Sequence, residues 1–231
     1  LMVGQNNRFS PDVQTLKQLV DRGVLGEVYH AKTAWTRRGG IPRIGSWFTQ
    51  KKFAGGGSTY DIGVHALDRC LYLLGEFDAV AVSGQTYAKF GPQGLGEGTW
   101  GKSEIDPKKP FDVEDLSVAL IKLRSGRTVL LETSWAAHQP LADFNGTQLF
   151  GTKAGALIPN LQLFRQTENG YAVESVATAT SLVNPNRMAH FVDCLLGREE
   201  PYVKTEESLA VQKILDAIYL SARTGREVRL K

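Results

Sequence analysis

Apolar residues recur at helical spacing in four stretches of this chain and alternate with polar ones in several shorter stretches between them. After Ser10-Pro11, where proline suits the first helical position, Val13, Leu16, Leu19 and Val20 fall on one face and Gly23 ends the run. Positions 28–37 mix branched and aromatic residues with partial alternation and predict a strand. A long loop over 38–57 follows, rich in glycine and carrying Pro42 and Ser46-Trp47-Phe48. Ser58 is placed to cap the next helix, whose stripe is Ile62, Ala66, Leu67, Cys70, Leu71 and Leu74, and Gly75 stops it. Strands are predicted at 79–88, 116–124, 128–136, 147–151, 156–166 and 171–177, with the clearest hairpin at Ser125-Gly126. Between Phe90 and Phe111 there is no periodicity. Two helices close the chain, at 185–196 and 205–224, the second with Leu209, Ile214, Leu215, Ile218 and Leu220 on a broad apolar face.

Consecutive strands bracketed by helices predict an α+β fold: a largely antiparallel open sheet with helices packed on one face. No internal repeat or linker composition interrupts residues 1–231, so one domain is expected. Leu1-Met2-Val3-Gly4 reads as the end of a buried strand, and the natural chain is expected to continue upstream. The net charge is only +3 and the basic residues are scattered, which argues against nucleic acid as a partner. No apolar run approaches the roughly 20 residues that span a bilayer, so no membrane partner is expected. Cys70 and Cys194 each fall inside a predicted helix and read as two buried thiols in a reducing cytoplasm.

The candidate chemistry centres on Gly55-Gly56-Gly57 and the helix after it, where Asp61 and His65 stand four residues apart. On one helical face the carboxylate can bond one imidazole nitrogen and free the other to trade a proton with a substrate hydroxyl or carbonyl. The glycine loop leaves room for a ligand. The plainer reading, an acidic residue favouring a helix N-terminus beside a surface histidine, has equal standing on spacing alone. Asp61, His65 and Asp68 share a face, yet His30, His138 and His190 are far apart and no zinc spacing occurs, so no metal is expected. Neither Gly55 to Gly57 nor Gly94-Leu95-Gly96-Glu97-Gly98 has the strand before and helix after that a dinucleotide fingerprint requires. Trp35, Trp47, Trp100 and Trp135, with Phe48 and Tyr60, offer flat faces for a sugar ring, Trp47 foremost, although aromatic side chains are more often core anchors. Arg37-Arg38, at a strand end, suits an anionic or polyhydroxylated ligand or simply water.

Val3-Gly4-Gln5-Asn6-Asn7-Arg8-Phe9-Ser10-Pro11, Gly26-Glu27-Val28, Gly55-Gly56-Gly57 with Asp61-x-Gly63-x-His65-x-x-Asp68, and Glu207-Ser208-Leu209-Ala210 together resemble the Gfo/Idh/MocA family. The resemblance runs through essentially the whole chain, in order. It implies NAD(P)-dependent oxidoreductases of sugars, inositols and polyols, with an N-terminal Rossmann domain that carries a Glu-Lys-Pro motif. It also implies a C-terminal domain, glyceraldehyde-3-phosphate-dehydrogenase-like, that holds the substrate and the oligomer interface. This chain resembles that C-terminal domain alone, so the fragment by itself is expected to be inactive. By position, the resemblance makes His65 the acid/base and Asp61 its orienting partner, Arg37, Trp47, Phe48 and Tyr60 the substrate wall, and Asn7 and Arg8 neighbours of the nicotinamide. A homodimer or homotetramer through the sheet face is implied as well. The alternatives are a non-catalytic ligand-binding or regulatory module of the same fold, a metal-dependent sugar isomerase or hydrolase, and a purely structural assembly domain.

Overall fold

The computed structural model describes residues 1–98, 111–178 and 186–230. Trp100, most of the aperiodic loop before Phe111 and the start of the helix expected at 185 lie outside the described residues. Helices α1 (Pro11–Asp21), α2 (Lys51–Ala54), α3 (Val64–Leu74), α4 (Arg187–Leu195) and α5 (Thr205–Thr224) accompany a sheet of nine strands. The strands are β1 (Val28–Arg37), β2 (Ala79–Tyr87), β3 (Leu116–Leu123), β4 (Thr128–Ser134) and β5 (Asp143–Gly151). They continue as β6 (Gly155–Ile158), β7 (Gln162–Thr167), β8 (Gly170–Ser175) and β9 (Val228–Arg229). Their spatial order is β8-β7-β6-β5-β1-β4-β3-β2-β9, antiparallel throughout except that β1 and β4 run parallel.

Alternation along the strands decides which face is covered. Ala31, Val129, Leu131, Ile121, Leu123 and Leu149 are buried in the core with Leu67, Cys70 and Leu71 of α3 and Ile214, Leu215 and Ile218 of α5. Each such leucine taken from water contributes about 1.5–3 kcal/mol. Val118 of β3 and Leu130 of β4 are 37% and 40% exposed, on the open face. Helix α3 stops where expected: Gly75 takes the left-handed conformation at φ 66° and its N–H closes on Leu71 and Tyr72. The segment expected as one strand over 156–166 is two, because a turn at 159–161, with Asn160 at positive φ, reverses the chain between β6 and β7. Residues 1–5 form no strand, and Leu1 is 98% exposed. Among the described residues no helix is long and apolar enough to cross a membrane.

One ion pair ties the helical layer together. Arg8 has no accessible surface; its Nε and a terminal nitrogen donate to the two oxygens of Asp68 on α3 at 2.8 and 2.6 Å. Its other terminal nitrogen donates to Glu207 of α5 at 2.5 Å and to the Tyr202 carbonyl at 3.4 Å. Burial pulls the guanidinium down, but the bonds and charges of Asp68 and Glu207 outweigh it and leave its pKa raised. Tyr72 and Phe77 lie 5.1 and 5.2 Å from the guanidinium carbon. Replacing Arg8→Met strands the Asp68 carboxylate in the core and is expected to cost about 3–5 kcal/mol in urea denaturation. Adding Asp68→Leu should then restore part of that loss; two losses that simply add would show that the pair is not coupled.

Candidate active site

The helix bearing the Asp/His pair begins in an unexpected way. Ser58 is already helical, at φ −55° and ψ −30°, and its side chain makes no cap. Its hydroxyl lies instead 3.3 Å from that of Thr133. The cap comes from far along the chain: the Glu114 carboxylate accepts from Gly57 N at 2.9 Å, Thr59 N at 2.8 Å and Tyr219 Oη at 2.8 Å. A carboxylate acceptor at helix N–H groups that have no partner within the helix is favourable both as hydrogen bond and as counter-charge. Gly57 is glycine because the Glu114 backbone crosses where a Cβ would sit, and at Gly56 a Cβ would overlap Tyr60 and Tyr219. The glycine run therefore makes room for the protein's own backbone and aromatic rings, not for a ligand.

The first turn, Thr59–Gly63, is a π turn, and α3 proper starts at Val64. Its wider winding changes the angular offset between positions 61 and 65, a device often met at functional sites. Asp61 consequently accepts from Trp135 Nε1 at 2.8 Å. The expected Asp61 to His65 hydrogen bond is not made, and His65 Nδ1 is buried without a partner. Asp61 still acts on the imidazole through its charge. Burial lowers the His65 pKa, the carboxylates of Asp61 and Asp68 raise it, and Arg69 lowers it, with a net fall. Burial raises the Asp61 carboxyl, opposed by the Trp135 bond and by the charges of Arg37 and His65. Arg69 itself is buried with its guanidinium on Thr147 Oγ1, Asn145 Oδ1 and the Gly146 carbonyl, and burial lowers its pKa to about 10.

His65 lines a cleft of about 460 Å³ with Met2, Val3, Gly4, Asn6 and Phe9 on one side and Arg187, Met188 and Phe191 of α4 on the other. On the imidazole's sheet side stands Trp35, ring centroids 6.0 Å apart. Of the expected wall, only Arg37 joins this group. Its Nε donates to Asp143 at 3.3 Å, its guanidinium lies over Trp35, and its charge reaches Asp61. Arg38 is turned onto the loop carbonyls of Gln139 and Pro140.

Tyr60, Arg8, Trp47 and Phe48 are not among the described residues that line this cleft. The Tyr60 hydroxyl donates to Asp216 of α5 and its ring packs on Tyr219. Arg8 has no surface in this chain, its guanidinium being engaged by Asp68 and Glu207. Trp47 and Phe48 stack on each other at 3.8 Å and are not among the described residues that line the His65 cleft. Asn7 stands next to the lining residue Asn6, with its own side-chain nitrogen buried. Asp68 is committed to Arg8, and among the described residues no group of three or more His, Cys, Asp or Glu side chains could hold a metal. Cys70 is buried and Cys194 only half-buried; both are free thiols, and burial pushes Cys70 up to about 12. Sequence reasoning passed over Asp143 and Glu114, and took Trp135 as a possible sugar face rather than as the hydrogen-bond partner of Asp61. Alternation on β1 does put Trp35 and Arg37 on one face, which was a usable signal for that wall.

An α+β domain with an Asp/His helix at the edge of a cleft is a recognisable class, and comparison places the chain within it. The profile of the GFO/IDH/MocA C-terminal domain matches residues 13–157, and the chain belongs to that family. It is 33% identical over 230 residues to the D-glucoside 3-dehydrogenase of Escherichia coli (strain K12), a match covering 97% of this chain and 63% of that protein. The chain thus spans under two thirds of the length of that relative. Among solved structures it resembles an aldose-aldose oxidoreductase from Caulobacter crescentus complexed with glycerol, with TM-score 0.77 and 25% identity over 100% of this chain and 64% of that one. A levoglucosan dehydrogenase in complex with NADH and levoglucosan shares the fold, with TM-score 0.80 at 20% identity over 99% of this chain and 66% of that one.

Because the Asp61 charge favours the imidazolium, Asp61→Asn should lower the His65 pKa below its wild-type value. Titration of the His65 ring by NMR would show the midpoint moving to lower pH; a rise or no movement would mean that the carboxylate does not act on the ring through its field.

Proposed function

We propose that this chain is the substrate-binding half of an NAD(P)-dependent dehydrogenase of sugars or related polyols, with His65 as its acid/base. The observation that carries the reading is His65 itself, half-buried at the edge of the cleft with Nδ1 shut away from solvent. Nε2 is then the nitrogen that can exchange a proton with a substrate hydroxyl. Burial favours the neutral ring that takes the proton during oxidation, and the charges of Asp61 and Asp68 steady the imidazolium once it forms. In the reverse direction the same nitrogen returns the proton to the alkoxide oxygen. Family membership and a relative named as a D-glucoside 3-dehydrogenase support the substrate class.

The residues present fit only one end of a dinucleotide. The glycine run is filled by Glu114, Tyr60 and Tyr219, and β1 and β4 are the one parallel pair among the described strands. A cleft of about 460 Å³ lies within the usual range of ligand sites, about 300–1,000 Å³, and suits a sugar beside a nicotinamide ring. We infer that a dinucleotide-binding domain outside these 231 residues holds most of the cofactor, with Asn6 and Asn7 near its reacting end. The nicotinamide, when bound, supplies the hydride acceptor. Assembly as a homodimer or homotetramer through the open sheet face is consistent with exposed Val118 and Leu130. The free thiols Cys70 and Cys194 suit a reducing cytoplasm.

In the full-length protein, His65→Ala is expected to lower turnover of the best sugar or polyol substrate about 10²-fold or more while NAD(P) affinity holds. Absorbance of the reduced nicotinamide measures the first and cofactor titration the second. Wild-type turnover by the alanine variant would remove His65 from the chemistry, and ligand binding without any turnover would favour a non-catalytic sensor.

A further inference from the structure

The sheet surface beneath His65 carries a polar ladder. On β1, Thr33, Trp35 and Arg37 face the helical layer in turn; on β5 their register partners are Thr147, Asn145 and Asp143. The inner rungs belong to the fold, because Arg69 reaches down from α3 and donates to Thr147, Asn145 and the Gly146 carbonyl. The outermost rung is different. The Asp143 side chain is 54% exposed, and its two oxygens accept from Trp35 Nε1 at 3.1 Å and Arg37 Nε at 3.3 Å. The Arg37 guanidinium carbon stands 4.9 Å from the Trp35 ring centroid. So exposed a pair adds little to stability. What the two donors fix is the orientation of a carboxylate that water can reach, one indole ring away from His65.

We propose that Asp143 is a specificity-determining residue. It accepts hydrogen bonds from hydroxyls of a neutral sugar ring that lies along Trp35 while the carbon being oxidised is at His65. The proposal rests on the dehydrogenase reading above and deepens it. Each carboxylate oxygen has two lone pairs, and each spends one here, so two acceptor positions remain for neighbouring hydroxyls. The indole face suits the C–H surface of a sugar ring. Charge makes a second selection. Asp143 is bonded to Arg37, whose charge also reaches Asp61, so two carboxylates share that guanidinium and a sugar acid or sugar phosphate lying along Trp35 meets repulsion that a neutral polyol does not.

The test uses the full-length protein and three kinds of probe: methyl glucoside, its monodeoxy analogues and the matching methyl glucuronide. Binding is read by calorimetry, turnover by nicotinamide absorbance, and folding by thermal melting. Asp143→Asn should melt as the wild type does and weaken methyl glucoside binding about tenfold or more. One monodeoxy analogue that the wild type rejects should be bound by the variant as well as its parent sugar, and the penalty against the glucuronide should shrink. His65→Asn should keep the wild-type binding pattern while losing turnover. If Asp143→Asn leaves the binding pattern unchanged in a protein that oxidises these sugars, the Asp143 assignment falls and the dehydrogenase reading stands. If the wild type discriminates among the sugars through Asp143 but reduces no nicotinamide, the dehydrogenase reading falls and the assignment of Asp143 as the hydroxyl acceptor stands. Failure of the wild type to bind any of the probes overturns the assignment.

Discussion

The buried Arg8–Asp68 pair is the constraint on which the arrangement around His65 depends. A single guanidinium with no access to water joins the N-terminal segment, α3, α5 and the Tyr202 carbonyl. Those contacts seat residues 2–9, which form one side of the cleft, against the helix that presents His65. The other side is fastened through the same point, since Tyr202 N donates to His190 of α4. Burying such a charge is unfavourable unless every contact is made, so the pair specifies one docking of these segments and tolerates no near miss.

Around the imidazole, hydrogen bonding and charge have been assigned to different residues. Trp135 holds Asp61, which fixes the carboxylate without giving it a proton to relay, and leaves its field to act on His65. Arg69 opposes that field from within the core, bonded only to neutral oxygens among its named partners. Glu114 supplies the helix start from a distant strand entry, which lets the first turn open into a π turn without exposing unsatisfied N–H groups. The imidazole is thus set by burial and by charges on three sides rather than by one orienting bond.

Much of the fold could be read directly from spacing. Strand β1 and helix α5 have the bounds that alternation and the apolar face of Leu209 to Leu220 predict, and the Ser125-Gly126 hairpin joins β3 to β4. The family was legible too, through the Asp61-x-Gly63-x-His65-x-x-Asp68 element and its neighbours. What escaped was tertiary in origin. The Ser58 cap was plausible locally but yielded to Glu114, 57 positions from Gly57. The Asp61 partner lies 74 positions away at Trp135, and the Asp143 that completes the Trp35 and Arg37 wall lies 106 positions from Arg37. No local pattern encodes such pairings. The contacts of Tyr60 with Asp216 and Tyr219, and of Arg8 with Asp68 and Glu207, likewise join residues far apart in the chain.

The single parallel pairing in the sheet bears on how the molecule assembles. Strand β1 emerges early in the chain, yet its neighbours on both sides, β4 and β5, begin at residues 128 and 143, and His30 meets Thr128 across 98 positions. Hairpins such as β3–β4 and β7–β8 close short loops, whereas β1 must wait for two distant partners to be made and brought to it. During synthesis Trp35 and Arg37 therefore stay unpaired until well past the middle of the chain. Until β4 and β5 are made, a central strand of the sheet has both its edges open to wrong partners while the ribosome completes the chain.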